Sequence, residues 1–168
     1  MRITLLVGAL LMCWCSAVLA APAALHVECA AFSAGKMVPR DYTCDGADRS
    51  PALTWSGAPA ATKSFAILLD DPDAPGGTFT HWIMWSVPAS THTLEAGTQR
   101  FADGQNDFGK IGYGGPCPPR GAKHRYYLHV YALDTMPKLS AGSNAAAFHQ
   151  AIKGHVLAQS ETMGTYQH

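Results

Sequence analysis

Charge is scarce in this sequence. Lys and Arg together number 12, Asp and Glu also number 12, and charged residues make up only 14% of the 168 residues. No basic stripe and no acidic run occurs. That removes the electrostatic footprint of a nucleic-acid-binding protein, and equally of one that adsorbs to anionic lipid by charge alone. Other signatures are missing too. No C-x-x-C or H-x-x-x-H occurs, so sequence-local zinc spacing is absent, and no metal or cofactor is expected. No G-x-S-x-G elbow offers an activated serine. There is no internal repeat and no long linker, and a sustained helical period occurs once. With 16 Gly and 11 Pro, the chain reads as many turns and short strands.

The one long apolar run stands at the beginning. Arg2 precedes Ile3 to Leu11, and small residues at Val18-Leu19-Ala20 follow. A positive start, an apolar centre and an A-x-A-like end describe a secretory signal peptide over residues 1–20. Pro22 and small residues stand where a stop-transfer charge cluster would belong, which argues against a retained anchor. Met12 and Trp14 precede Cys13 and Cys15, and neither is the small residue a lipoprotein site needs. The expectation is a periplasmic or secreted protein, one domain over 21–168, with no membrane span after cleavage. Cys29, Cys44 and Cys117 then remain, enough for one bridge and one free thiol. Counting does not choose the pair.

Strand signals dominate the rest. "ALTW" at 52–55 is a short strand, and 64–69 is a continuous apolar run typical of a buried one. Pro72 and Pro75 cannot donate to a ladder, so that strand ends by Asp71. Residues 79–87 alternate. Simple period-2 reading places Phe79, His81, Ile83, Trp85 and Val87 on one face, with Thr80, Trp82, Met84 and Ser86 on the other. Both faces are apolar, as in an internal strand covered twice. Residues 89–121 are irregular and long enough to suggest function. "HRYYLHVYALD", 124–134, is the strongest strand. Residues 143–160 read as a helix capped by Ser143 or Asn144, with Gly154 as a bend or early end, and 160–166 as a last short strand. Many strands and one late helix indicate a mostly-β sandwich.

The groups able to carry chemistry gather at strand ends. Asp71 and Asp73 sit in a proline-stiffened turn, His81 opens the next strand, and His124 begins the aromatic one. Asx-turn bonding is the ordinary use of such acids, and core packing the ordinary use of a lone histidine.

"DPDAP" at 71–75, "HW" at 81–82, "CPPRG" at 117–121 and "HRY" at 124–126 occur in this order. Supporting segments are "YTCDG" at 42–46, "SPALTWSGAP" at 51–59, "NDFGKIGYGG" at 106–115, "VYALD" at 130–134 and "GTYQ" at 164–167. Together they resemble the phosphatidylethanolamine-binding protein family, also called the Raf kinase inhibitor protein family, in its exported bacterial branch. The resemblance implies a Greek-key β-sandwich of two antiparallel sheets with one or two short helices. It also implies a small anion pocket lined by Asp71, Asp73, His81, His124 and Tyr126, with Cys117 and Pro118 as one wall. Trp82 would pack at the rim or behind His81. A cis bond at Ala74-Pro75 is implied as well, as is a Cys44–Cys117 bridge with Cys29 reduced and buried.

The function implied is capture of a small anionic ligand, a phosphate or phospholipid headgroup, with a protein partner at the pocket or its rim. No catalytic residue is assigned. Two alternatives use the same chain: weak or metal-assisted hydrolysis by the His/Asp set, and loop-mediated binding of the kind protease inhibitors use. Two imidazoles and a phenol can donate to phosphate oxygens. Anion affinity is therefore expected to fall as pH rises through the histidine range.

Overall fold

The computed structural model describes residues 24–168. The expected signal peptide, residues 1–20, lies outside the described residues. A three-stranded sheet, in the order β1-β2-β5, comprises β1 (His26–Cys29), β2 (Leu53–Ser56) and β5 (Thr93–Leu94). A five-stranded sheet runs β6-β4-β3-β7-β8. Its strands are β3 (Ser64–Asp71), β4 (Phe79–Pro88), β6 (Ala102–Asp103), β7 (His124–Leu133) and β8 (Val156–Tyr166). Every pairing of these strands is antiparallel. Arg40–Tyr42 form one 3-10 turn. The single α-helix of the described residues, α1, is Ala145–Ile152.

Alternation explains how the two sheets close on each other. Phe65, Ile67 and Leu69 of β3 and Tyr126, Leu128, Val130 and Ala132 of β7 turn one way, onto Val27 of β1 and Leu53 and Trp55 of β2. The opposite face of β3 and β4 carries Ala66, Leu68, Ile83 and Trp85, which α1 covers with Phe148 and Ile152. β3 is thus buried on both faces, the physical reason that it reads as an unbroken apolar run. Each such fully buried aliphatic or aromatic side chain contributes roughly 1.5–3 kcal/mol relative to exposure.

Two interruptions of register in β4 change its faces. Phe65 pairs with Val87 but Ile67 pairs with Met84, so an extra residue is accommodated around Ser86, which has φ of 57°. Val87 consequently joins Trp82 and Met84 in the inter-sheet core, rather than Ile83 and Trp85. Leu69 pairs with Trp82 and Asp70 with Thr80, leaving His81 as the extra residue of a second bulge. A bulge re-aims the residue it contains. His81 leaves the Ile83/Trp85 face and packs edge-on against Tyr126 of the inter-sheet side, ring centroids 5.2 Å apart.

The helix expected over 143–160 is less than half as long. Asn144 caps it, its side chain accepting from the Ala147 amide at 3.0 Å, and it stops at Ile152. Gly154, at φ +80°, reverses the chain. From Val156 onward the backbone pairs with β7 along its length. A helix there would leave the β7 edge unpaired, so sheet completion overrides the local 3.6 period. The Ala74-Pro75 bond is trans, since no cis peptide occurs among the described residues. The turn closes without one: the Gly77 amide donates to the Ala74 carbonyl at 3.1 Å and Gly77 takes φ of +104°. Trans is the lower-energy form of an X–Pro bond.

Candidate functional site

At one end of the sandwich, the ends of β3, β4 and β7 meet. Asp71, the last residue of β3, is buried with both carboxylate oxygens engaged. Oδ1 accepts from the Asp73 amide at 2.8 Å, and Oδ2 accepts from Nδ1 of His124, the first residue of β7, at 2.7 Å. Asp71 therefore holds the turn and the imidazole together. Nε2 is the nitrogen His124 retains for the cavity it lines.

His81 is held from the other side. Its Nδ1 lies 2.7 Å from the Gly114 carbonyl and 3.1 Å from that of Gly115. Both partners are acceptors, so Nδ1 carries the proton. The Gly114 amide returns a bond to the His81 carbonyl at 2.9 Å. Burial lowers the pKa of His81 below the ordinary imidazole value, against the opposing pull of Gly114 and Asp71. At neutral pH it is a neutral ring whose Nε2 accepts rather than donates.

Asp71, His81 and His124 line a cavity of about 160 Å³ walled by Ala74, Pro75, Phe79, Phe108, Cys117, Pro118 and Pro119. Tyr126 lies behind the imidazoles, fully buried. Its hydroxyl has no hydrogen-bond partner, although the Asp71 carboxylate and the Cys117 backbone are close by. Burial, and next the Asp71 charge, raise the phenol well above its ordinary value, so it remains a donor. Tyr126 does not itself line the cavity, so the structure does not place it at the ligand position with the two imidazoles.

Asp73 lies elsewhere. Its carboxylate takes the Arg125 amide at 2.9 Å and the Arg125 guanidinium at 2.9 and 2.6 Å. That pairing holds its carboxyl down at about 2. It clamps the 71–75 turn to β7 and does not line the cavity. Trp82 is packed behind the site, its indole N–H donating to Asp103 at 3.0 Å.

The irregular 89–121 segment is ordered by side chains that local periodicity does not reveal. Asn106 accepts from the Phe108 and Lys110 amides and donates to the Gly112 carbonyl. Asp107 accepts from the Thr80 amide at 2.6 Å, and Asp48 accepts from the Gly115 amide at 2.7 Å. This places Phe108 across the cavity mouth, against Phe79 and His81. The bridge between Cys44 and Cys117 closes the opposite wall. Cys29 is free but only half-buried, a correction to its expected burial. A larger open cleft of about 490 Å³, lined by Asp48, Arg49, Thr98 and Asp103 among others, contains no histidine. Its two acids already serve Gly115 and Trp82.

The arrangement can be set beside known proteins. A family model described as phosphatidylethanolamine-binding protein matches residues 29–167. The chain belongs to the phosphatidylethanolamine-binding protein family. A UPF0098 protein of Aquifex aeolicus is 41% identical over 86% of this chain and 90% of its own. Among solved structures, a phosphatidylethanolamine-binding protein homologue from Chlamydia trachomatis superposes with a TM-score of 0.82. It is 38% identical, covering 86% of this chain and 98% of its own. YbcL of E. coli, described as a member of the mammalian family, gives 0.78 at 34% identity, covering 87% and 99%.

Within this family member, the glycine carbonyls behind His81 are open to test. A Cβ on Gly115 would lie 2.4 Å from the Tyr42 carbonyl oxygen and 2.7 Å from Asp48 Oδ1. Gly115→Ala is expected to destabilise the protein by roughly 1–3 kcal/mol through overpacking. The measurement is a lowered denaturation midpoint in urea. An unchanged midpoint would show that the 113–116 backbone yields freely.

Proposed function

We propose that this family member is an exported binding protein that captures a small phosphate-bearing anion in the cavity between His81 and His124. The observation that carries the reading is the complementary polarity of the two imidazoles. His81 Nδ1 is committed to Gly114, so its Nε2 accepts, which suits the P–OH of a monoprotonated phosphate. His124, oriented by Asp71 through Nδ1, donates from Nε2 when protonated. The surrounding prolines and phenylalanines exclude water and strengthen these bonds.

Binding is favoured over turnover because the cavity lining holds no Ser or Thr hydroxyl and its one cysteine is in the disulfide, so no nucleophile stands beside the imidazoles. The rim favours a protein or lipid surface as the carrier of the anion, since Phe108 stays 43% exposed at the mouth. Export rests on the character of residues 1–20. No helix of the described residues is long and apolar enough to cross a membrane.

Titration calorimetry with inorganic phosphate and phosphorylethanolamine tests the proposal. Affinity should fall as pH rises from about 5.5 to 8.5, because the P–OH donor that His81 Nε2 accepts from is lost along that path. The combined His81→Ala and His124→Ala substitutions should abolish it. Equal affinity at both ends of the range, or binding that survives the double substitution, would refute the reading.

A further inference from the structure

We propose that the cavity selects a phosphate that still carries a proton, a monoester or free phosphate, and rejects a phosphodiester, with His81 as the discriminating residue. The inference rests on the anion-capture reading above and narrows its ligand class. A phosphodiester, the form in which a phospholipid carries its headgroup, has no P–OH at neutral pH. A monoester keeps one up to its second ionisation, at about pH 6.

The cavity lining is poor in donors. No Lys or Arg is among its residues, and Pro75, Pro118 and Pro119 have no backbone N–H to offer. Cys117 is held in the disulfide. The Asp71 carboxylate is an acceptor whose two oxygens already serve the Asp73 amide and His124. Among side chains, that leaves the two imidazoles, and their partners differ. His124 sets Nδ1 against a carboxylate, which pairs with the imidazolium form, and that form donates from Nε2. His81 sets Nδ1 against two backbone carbonyls, which fix one proton there and bring no charge to balance a second. A fully ionised anion would therefore meet one donor and one opposed lone pair. A ligand that brings its own proton satisfies both rings.

The surroundings of His81 hold it in that role. The Gly114 amide donates back to the His81 carbonyl at 2.9 Å, and Asp48 accepts from the Gly115 amide at 2.7 Å, so both carbonyls are fixed. The ring is 2% exposed, met edge-on by Phe108 and Tyr126 and tilted against Phe79. The titratable groups around it are Asp71 of β3, Asp107 of the irregular segment, and His124 and Tyr126 of β7. Asp71 is engaged with His124, and Asp107 with the Thr80 amide. Burial outweighs the Gly114 carbonyl and the two carboxylates, so the ring stays neutral. Nε2 meets the ligand as a lone pair. Against P–OH it accepts a hydrogen bond, whereas against a diester oxygen two acceptors are pressed together away from water. A site built to bond a ligand hydroxyl rejects an analogue lacking it more strongly than one that is merely larger.

Ethyl phosphate and dimethyl phosphate are isomers, and both are largely monoanions at about pH 5.5, the first with a P–OH and the second without. Titration calorimetry of the whole protein against each isolates that proton, since charge and composition match. Ethyl phosphate should bind at least about tenfold tighter. At about pH 8.5 it has lost the proton, and the preference should shrink at least about threefold. Protonation of His124 acts on both ligands and cancels in their ratio. Inorganic phosphate should bind as well, and the tighter of it and ethyl phosphate tells whether free or esterified phosphate is the source. His81→Gln, with folding verified by near-ultraviolet circular dichroism, can turn either its amide N–H₂ or its C=O to the ligand, so the preference should fall to within about threefold. Should the variant misfold, the isomer ratio in wild type and its pH dependence decide. Equal affinity for the two isomers at the acidic pH would overturn the inference while leaving anion capture standing. An undiminished preference in folded His81→Gln would take the discriminating role from His81. If none of the three phosphates binds, the capture reading fails and this inference fails with it.

Discussion

Asp71→Ala is expected to lower stability by about 3 kcal/mol, in the range for breaking a buried pair by removing one partner. The size follows from what the carboxylate does. Asp71 is 3% exposed and His124 is 6% exposed, so water cannot take over the role of either partner. Removing it strands His124 Nδ1 and also the Asp73 amide, two polar groups that then lose their acceptor together. For a domain of this length the melting temperature should drop by roughly 10 °C. Asp71→Asn keeps an acceptor for the Asp73 amide, so it should recover part of the loss. A double-mutant cycle with His124→Ala isolates the pair: coupling of about 1 kcal/mol or more is expected for groups in direct contact. A cycle in which the two effects simply add would show that the 2.7 Å bond contributes little.

The ingredients of this site were legible in the sequence because they stand at strand ends, where hydrophobic patterning stops and chemistry-bearing residues begin. Asp71 and His124 are there, and the register that brings β3 against β7 follows from two strongly apolar strands. His81 was legible as a residue but not as a direction. Strict alternation points it toward Trp85, and only the bulge opposite Asp70 turns it into the cavity. A bulge is decided by how two strands fit, which no single strand announces. Asp73 illustrates the converse. It sits in the same turn as Asp71, yet it bonds to Arg125, because successive residues of β7 face opposite ways and Arg125 follows His124. Phe108 and the Gly114–Gly115 carbonyls were invisible for a third reason. Their positions depend on Asn106, Asp107 and Asp48, side chains acting on backbone groups in a segment without period. The late helix failed at Gly154, where a short apolar stripe was outweighed by the pairing available along β7.

Breaking the Cys44–Cys117 bridge should be costlier still. The disulfide closes a loop of 73 positions, and chain entropy places its contribution near 4 kcal/mol as an upper figure. The loop encloses β2, β3, β4 and the irregular segment, so the unfolded chain gains much freedom when the bridge goes. Native contacts at and beyond the break are few: the Cys44 amide donates to the Pro116 carbonyl at 3.2 Å and His168 reaches Pro118, whereas the Asp48–Gly115 and Tyr113–Tyr42 bonds hold only the chain before Cys117. The Cys117–Pro119 wall should therefore loosen before the core does, since Tyr126, Phe65 and Trp82 remain fully packed on the far side. Cys44→Ser with Cys117→Ser should lower the urea midpoint with little change in slope. Hydrogen exchange should quicken first at residues 117–122. Wild type reduced in the same buffer should match it, which separates loss of the bond from loss of the sulfur atoms. If exchange instead rises first in β3 and β7, the bridge supports the sandwich core rather than the pocket wall. The anion affinity of the reduced protein would then fall only as far as the fold itself is lost.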